Sequence, residues 1–210
     1  MFELETKNSV LIKNNPLMLR ILCNGSGSVI SHFDEEKIWT DVEFIPLRID
    51  EVLNPYTQMF DGLILGIIVK CEGRKGKEKI ELPRGTTIYL YCKRSQTMKD
   101  SYSSFLNQAE EVKVLHRVPM QSAIFSPYFT PKSNDKGVYA LCKWDVRPAD
   151  KESEGDIYQE LAELKGSDFQ FNQLFPSQNS TIESMNNAAK AILDESYDSE
   201  TLALPEAPNF

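Results

Sequence analysis

Apolar positions in the first 150 residues cluster in short runs and alternations of strand length, most of them closed by turn residues. Leu17–Cys23 is an apolar run stopped by Asn24-Gly25-Ser26-Gly27-Ser28. Val42, Phe44, Ile45, Leu47 and Ile49 interleave with Glu43 and Arg48, the period-two pattern of a half-buried strand. Gly62–Cys71 is rich in β-branched residues, and Thr86–Cys92 follows Pro83-Arg84-Gly85. Val112–Val118, Ala123–Phe129 and Val138–Val146 complete seven expected strands, with Pro131–Gly137 as a turn. Only Tyr102–Glu110 reads as helix inside this stretch.

Many short strands with one brief helix predict a mainly β domain over residues 1–149, an OB-like β-barrel elaborated by long connections at 24–41, 50–61 and 93–111. Composition shifts at Arg147-Pro148-Ala149-Asp150. Beyond it, residues 150–193 predict an acidic extension of two helices. The first, 151–166, places Ile157, Tyr158, Leu161 and Leu164 on one face and stops at Gly166. The second opens on the capping box Ser180-Thr181-Ile182-Glu183. Residues 194–210 hold five acids, no base and two prolines, the composition of a disordered, flexible tail.

With 41% hydrophobic residues in 210, a wholly disordered chain is excluded. No apolar run approaches the ~20 residues of a membrane helix, and the start Met1-Phe2-Glu3-Leu4-Glu5 lacks the features of a signal peptide. A soluble, cytoplasmic protein without membrane contact is the expectation. Cys23, Cys71, Cys92 and Cys142 are widely spaced within apolar segments, which predicts buried thiols in a reducing compartment; with only His32 and His116 besides, no metal site or cofactor is expected.

Charge changes the picture more. The net −8 conceals a balance of −5 over residues 1–61, +7 over 62–149 and −10 over 150–210. The basic excess is densest from Lys70 to Lys99, where Lys70, Arg74, Lys75, Lys77, Lys93 and Arg94 are candidate phosphate contacts. Tyr89 and Tyr91 share one strand face and are candidates to stack unpaired bases, with Ile88, Leu90 and Cys92 on the other face. The plainer reading makes Gly73–Lys79 a solvated hairpin tip and the tyrosines a cover for the barrel or a bed for a helix. Trp39, Trp144 and Phe125-Ser126-Pro127-Tyr128-Phe129 are further aromatic candidates.

Catalytic patterns are sparse. Asn24–Ser28 lacks the Lys-Ser/Thr of a phosphate loop, and no G-x-S-x-G occurs. Glu111-Val112-Lys113 with Asp100 upstream has the Glu-x-Lys spacing of a metal-dependent nuclease if it lies on a strand. No catalytic residue is assigned, and the chain is expected not to be an enzyme.

A basic, aromatic-bearing β domain followed by Asp194-Glu195-Ser196-Tyr197-Asp198-Ser199-Glu200 and ending Pro208-Asn209-Phe210 resembles, in general plan, bacterial and phage single-stranded DNA-binding proteins. The resemblance implies an OB-fold barrel, single-stranded nucleic acid as partner with DNA favoured, and a tail (Asp194, Glu195, Asp198, Glu200, Phe210) that competes for the basic groove or docks on another protein. Two features depart from that plan: the last nine residues hold one acid, Glu206, and the two helices are additional. The alternative expectation is a phage or plasmid accessory or structural module, whose helices dock a partner or a second copy.

Overall fold

A computed structural model describes residues 12–54, 56–94, 100–117, 119–135 and 137–165. The chain is mainly β: one mixed eight-stranded sheet and two helices. The strands are β1 (Ile12–Leu22), β2 (Ser28–Ser31), β3 (Asp34–Leu53), β4 (Phe60–Lys75), β5 (Glu78–Glu81), β6 (Thr86–Cys92), β7 (Ala123–Asn134) and β8 (Gly137–Pro148). Helix α1 (Ser101–His116) precedes β7, and α2 (Lys151–Lys165) follows β8.

The sheet order is β5-β4-β6-β1-β2-β3-β7-β8, with a further β3–β4 pairing. That pairing bends β1, β2, β3, β4 and β6 into a five-stranded ring. Each neighbour is antiparallel except β1 and β6, which run parallel, as the first and last strands of a five-strand meander must. Strand β3 can serve both β2 and β4 because it is long and broken by three register shifts, between Trp39 and Asp41, Glu43 and Phe44, and Pro46 and Arg48. Strand β5, paired to the end of β4, and the β7–β8 hairpin lie outside the ring.

The alternation of side chains builds two cores. Inside the ring, Leu19, Val29, Phe44, Ile64, Ile68, Ile88 and Leu90 meet Tyr102 and Phe105 of α1 and Phe125 and Trp144 of the last hairpin. Outside it, Ile45, Leu63, Leu65, Ile67 and Ile124 are covered by Ile157 and Leu161 of α2. Strand β6 is therefore buried along its whole length. Gly62 lies under α1; a Cβ there would stand 2.1 Å from the Tyr102 ring, so the close approach of strand and helix requires glycine.

Several expectations are corrected. Val112–Val118 is no strand, since residues through His116 continue α1. Asp100 caps that helix by accepting from Ser103 N at 2.7 Å, and Ala109-Glu110-Glu111 are strong helix formers that outweigh the two valines. The connection 24–41 contains β2 and the start of β3, and Asp34-Glu35-Glu36 opens a strand in which Asp34 and Glu36 pair with Lys75 of β4 and Glu35 with Arg20 of β1. Pro131-Lys132-Ser133-Asn134 belongs to β7 rather than to a turn. Beyond Phe44–Phe125, β7 pairs on one side only, and an open edge tolerates Pro127 and Pro131, which have no N–H to donate. The expected helix at 151–166 forms and packs on the ring, while the second helix and the 194–210 tail lie outside the described residues.

Candidate nucleic-acid interface

The predicted basic residues do not form one surface. Lys70 on β4 is bonded to Asp41 and lies 3.4 Å from Glu72. Lys75 lies 3.0 Å from Asp34 and 3.6 Å from Glu36. The bond to Asp41 raises the Lys70 pKa and the bond to Asp34 that of Lys75, while Lys75 and then Lys37 hold the Asp34 carboxyl below its ordinary range. Arg84 is taken by Asp156, in a bidentate pair at 2.6 and 2.7 Å. Of the cations between Lys70 and Lys99, Lys70, Lys75 and Arg84 are thus matched by carboxylates of β3, β4 and α2.

Lys77 occupies the β4–β5 turn beside Gly76, whose φ of 60° suits glycine, so Gly73–Lys79 is a hairpin tip as the plainer reading has it. Lys93 and Arg94 lie beyond the far end of β4, because Cys92 pairs with Gly62; at ~3.3 Å per residue they are separated from Arg74 by ~40 Å of strand. Lys93 is exposed. The Arg94 backbone donates to Asp61 at 2.6 Å and its guanidinium lies 5.1 Å from the Tyr102 ring centre, so it braces the α1 entry.

Tyr89 and Tyr91 are no stacking platform. They are 9% and 5% exposed and belong to the outer core beneath α2. The Tyr91 hydroxyl donates to the buried Asp61 at 2.5 Å. Burial raises the pKa of both phenols, and the nearby Asp61 carboxylate adds to the rise at Tyr91. The two tyrosines do share a face opposite Ile88, Leu90 and Cys92, but that face belongs to the outer core cluster with Ile157 and Leu161 of α2 rather than to solvent. Trp144 is likewise core, edge-to-face against Phe44 and Phe105.

The Glu-x-Lys pair is also overturned as a strand site. Glu111 and Lys113 sit in α1, where side chains two apart point away from each other, and Lys113 pairs with Glu110 at 3.6 Å. Among the described residues, no three His, Cys, Asp or Glu side chains converge as metal ligands. The four cysteines are free thiols; burial raises their pKa, for Cys71 to about 12. Asp194, Glu195, Asp198, Glu200 and Phe210 lie outside the described residues.

Two neighbouring features do bring aromatics and free cations together. The first is the outer face of the β7–β8 hairpin. Register places Tyr128 opposite Lys143 and Lys132 opposite Tyr139, with Thr130 and Leu141 between. Tyr128 is 40% and Tyr139 37% exposed. Neither lysine pairs with a described carboxylate, although Asp145 stands at the inner end of this face.

The second is a groove of about 470 Å³ where β3 and β7 part company beyond Phe44–Phe125. Its lining includes the buried Val29, Trp39 and Val42, Pro127, Tyr128 and Phe129 of β7, and Arg74 of β4. Trp39 is held by its Nε1–H donating to Ser31 Oγ at 3.0 Å. Arg74 makes no ion pair with a described residue, in contrast to Lys70 and Lys75 on the same strand. The segment Phe125–Phe129 was visible as a candidate; the Tyr–Lys pairing was not, because it depends on the β7–β8 register.

Comparison with protein-family models, with curated proteins and with solved structures finds no match to this chain. No described helix is long and apolar enough to cross a membrane.

Proposed function

We propose that this chain binds single-stranded nucleic acid, without catalysis, along the outer face of the β7–β8 hairpin and the groove beside it. The observation that carries the reading is the pair of exposed tyrosines, Tyr128 and Tyr139, each opposite a lysine with no described carboxylate partner. Aromatic faces stack bases of any sequence, and free ammonium groups draw the phosphate backbone. The OB-like reading is kept for strand number and ring closure; the strand order here is an up-and-down meander, whereas an OB barrel is a Greek key. The acidic residues Asp194, Glu195, Asp198 and Glu200, ahead of Phe210, act in this reading as a tethered competitor for the lysines or as a docking arm.

The test is fluorescence anisotropy of a labelled strand of about 30 nucleotides, longer than the ~4–16 that one OB domain covers. Affinity that falls steeply with salt, and rises when the four tail acids become amides, supports the reading. Absence of binding at low salt ends it.

One observation favours the assembly alternative. The β3–β4 turn presents Leu53, Tyr56 and Phe60 at 47%, 44% and 46% exposure. Buried Asn54 pre-shapes that turn, accepting from Tyr56 N and Thr57 N and donating to Asp61. Self-association or partner capture lost on Leu53→Ser with Phe60→Ser, with strand binding absent, would favour that role.

A further inference from the structure

We propose that the β3–β7 groove is a pocket for one unstacked nucleotide, its base against Tyr128 and its phosphate at Arg74. This rests on the strand-binding reading and deepens it, since Tyr128 is shared with the hairpin face while Arg74 and the 24–28 turn are added.

The walls set the class of ligand. Tyr128, 40% exposed, offers an aromatic face, while Trp39, 4% exposed, belongs to the core behind the groove. Asn24, Ser26, Ser28 and Thr40 add an amide and three hydroxyls along the rim. A purely aliphatic ligand would use the aromatic face and none of the polar rim. A nucleobase uses both, with a π-face for Tyr128 and a donor–acceptor edge for the rim.

The charge sets the phosphate. Arg74 is directly opposite Lys79 in the β4–β5 ladder, a like-charged cross-strand pair that costs stability unless an anion bridges it. One residue on, Lys75 faces Glu78 and also reaches Asp34, so opposite charges were available to this hairpin. On the same face of the ladder Glu72 stands opposite Glu81, and of the two like-charged pairs it is the cationic one whose arginine lines the groove.

The pocket is shaped before a ligand arrives. Gly27, at φ 77°, lies so near Phe129 that a Cβ would fall 2.3 Å from the ring. The hairpin is tied to the same turn by Ala140 N donating to Cys23 O at 2.8 Å and Gly25 N donating to Val138 O at 3.2 Å. The turn therefore fixes the aromatic wall, and little ordering is left to do on binding.

The experiment is a two-dimensional amide NMR titration of the full chain with dAMP, beside anisotropy with the oligonucleotide. Two groove variants are used, Arg74→Gln and Thr40→Trp; both positions are exposed, and the second fills the groove. Tyr139→Ala, outside the groove, is the control. The expected result is that dAMP shifts amides of Ser26, Gly27, Thr40 and Arg74, that Thr40→Trp abolishes these shifts, and that Arg74→Gln weakens dAMP about tenfold, the scale of a charge-assisted phosphate contact. Tyr139→Ala leaves dAMP binding unchanged while weakening the oligonucleotide. If dAMP moves nothing in the groove and Thr40→Trp leaves oligonucleotide affinity intact, the pocket is overturned even though Tyr139→Ala still weakens the strand. If dAMP binds in the groove and no oligonucleotide binds, the pocket stands with free nucleotide as its source, and the strand reading falls.

Discussion

Two pairs of tyrosines on this sheet have opposite fates. Tyr89 and Tyr91 are two apart on β6, a strand with neighbours on both sides and α2 across its outer face. Tyr128 and Tyr139 sit on facing strands of a hairpin that joins the rest of the sheet through the Phe44–Phe125 pair and the Asn24–Tyr139 bridge. The first pair lies in the most cation-rich stretch of the sequence and is buried; the second lies in a sparser stretch and is exposed. Position in the sheet, rather than local composition, decides which rings can meet a ligand.

The largest expected effect is on the buried pair. Tyr91→Ala removes a ring from the outer core and leaves Asp61 without one of its three hydrogen-bond donors. The cost is expected at about 3–5 kcal/mol, with Tyr91→Phe nearer 1–3 kcal/mol for the lost donor alone. Urea denaturation read by far-ultraviolet dichroism checks both. A wild-type midpoint for Tyr91→Ala would mean that the ring is not core and would return it to the list of stacking candidates.

The exposed pair is expected to behave in reverse. Tyr128→Ala with Tyr139→Ala changes stability by ~0.5 kcal/mol or less but costs strand binding ~1–3 kcal/mol per stacked base. Anisotropy beside a denaturation curve separates the two effects. Equal binding by the double variant would break the comparison at its functional end.

Lysines give a finer version of the same contrast. Lys132→Gln and Lys143→Gln should each reduce the salt dependence of strand binding by ~0.7 in log K against log salt, the single-strand value per phosphate contact. Lys70→Gln and Lys75→Gln, at residues engaged by Asp41 and by Asp34 and Glu36, should leave that slope unchanged. A steeper loss for Lys70 or Lys75 would show that the strand displaces those carboxylates, extending the interface onto β3–β4.

Much of the fold is legible from the residues because strand period and turn chemistry are local. Thr86–Cys92 is found to the residue, and the start of α2 with its buried Ile157 and Leu161 follows from helical spacing. The early part of β3 is missed because Asp34-Glu35-Glu36-Lys37 carries no apolar signal; it is a strand through pairing of Asp34 with Ser31 and of Lys37 with Lys75, a residue 38 positions away. Site residues suffer from the same non-locality. That Lys70 is neutralised, that Arg84 serves Asp156, and that Tyr128 meets Lys143 are facts of register and docking.

The smallest effect concerns what keeps the first tyrosine pair covered. Helix α2 is held over β6 by Ile157 and Leu161 and, at its margin, by Arg84–Asp156 and by Arg147 with Glu43 and Glu154. The bond to Arg84 holds the Asp156 carboxyl below its ordinary value of 3.8. Because the folded pKa is the lower one, the pair's contribution is full above the ordinary value and fades as pH falls through the folded value. The pair is largely exposed, so its share is about 0.5 kcal/mol or less. The apolar contacts carry the rest. Asp156→Asn should therefore lower stability slightly at pH 7 and flatten the acid limb of the curve, leaving Tyr89 and Tyr91 protected from solvent quenchers at pH 7. Exposure of those rings in Asp156→Asn at neutral pH would mean that charge, rather than the apolar underside of α2, keeps them buried, and the contrast between the two tyrosine pairs would become a matter of salt and pH.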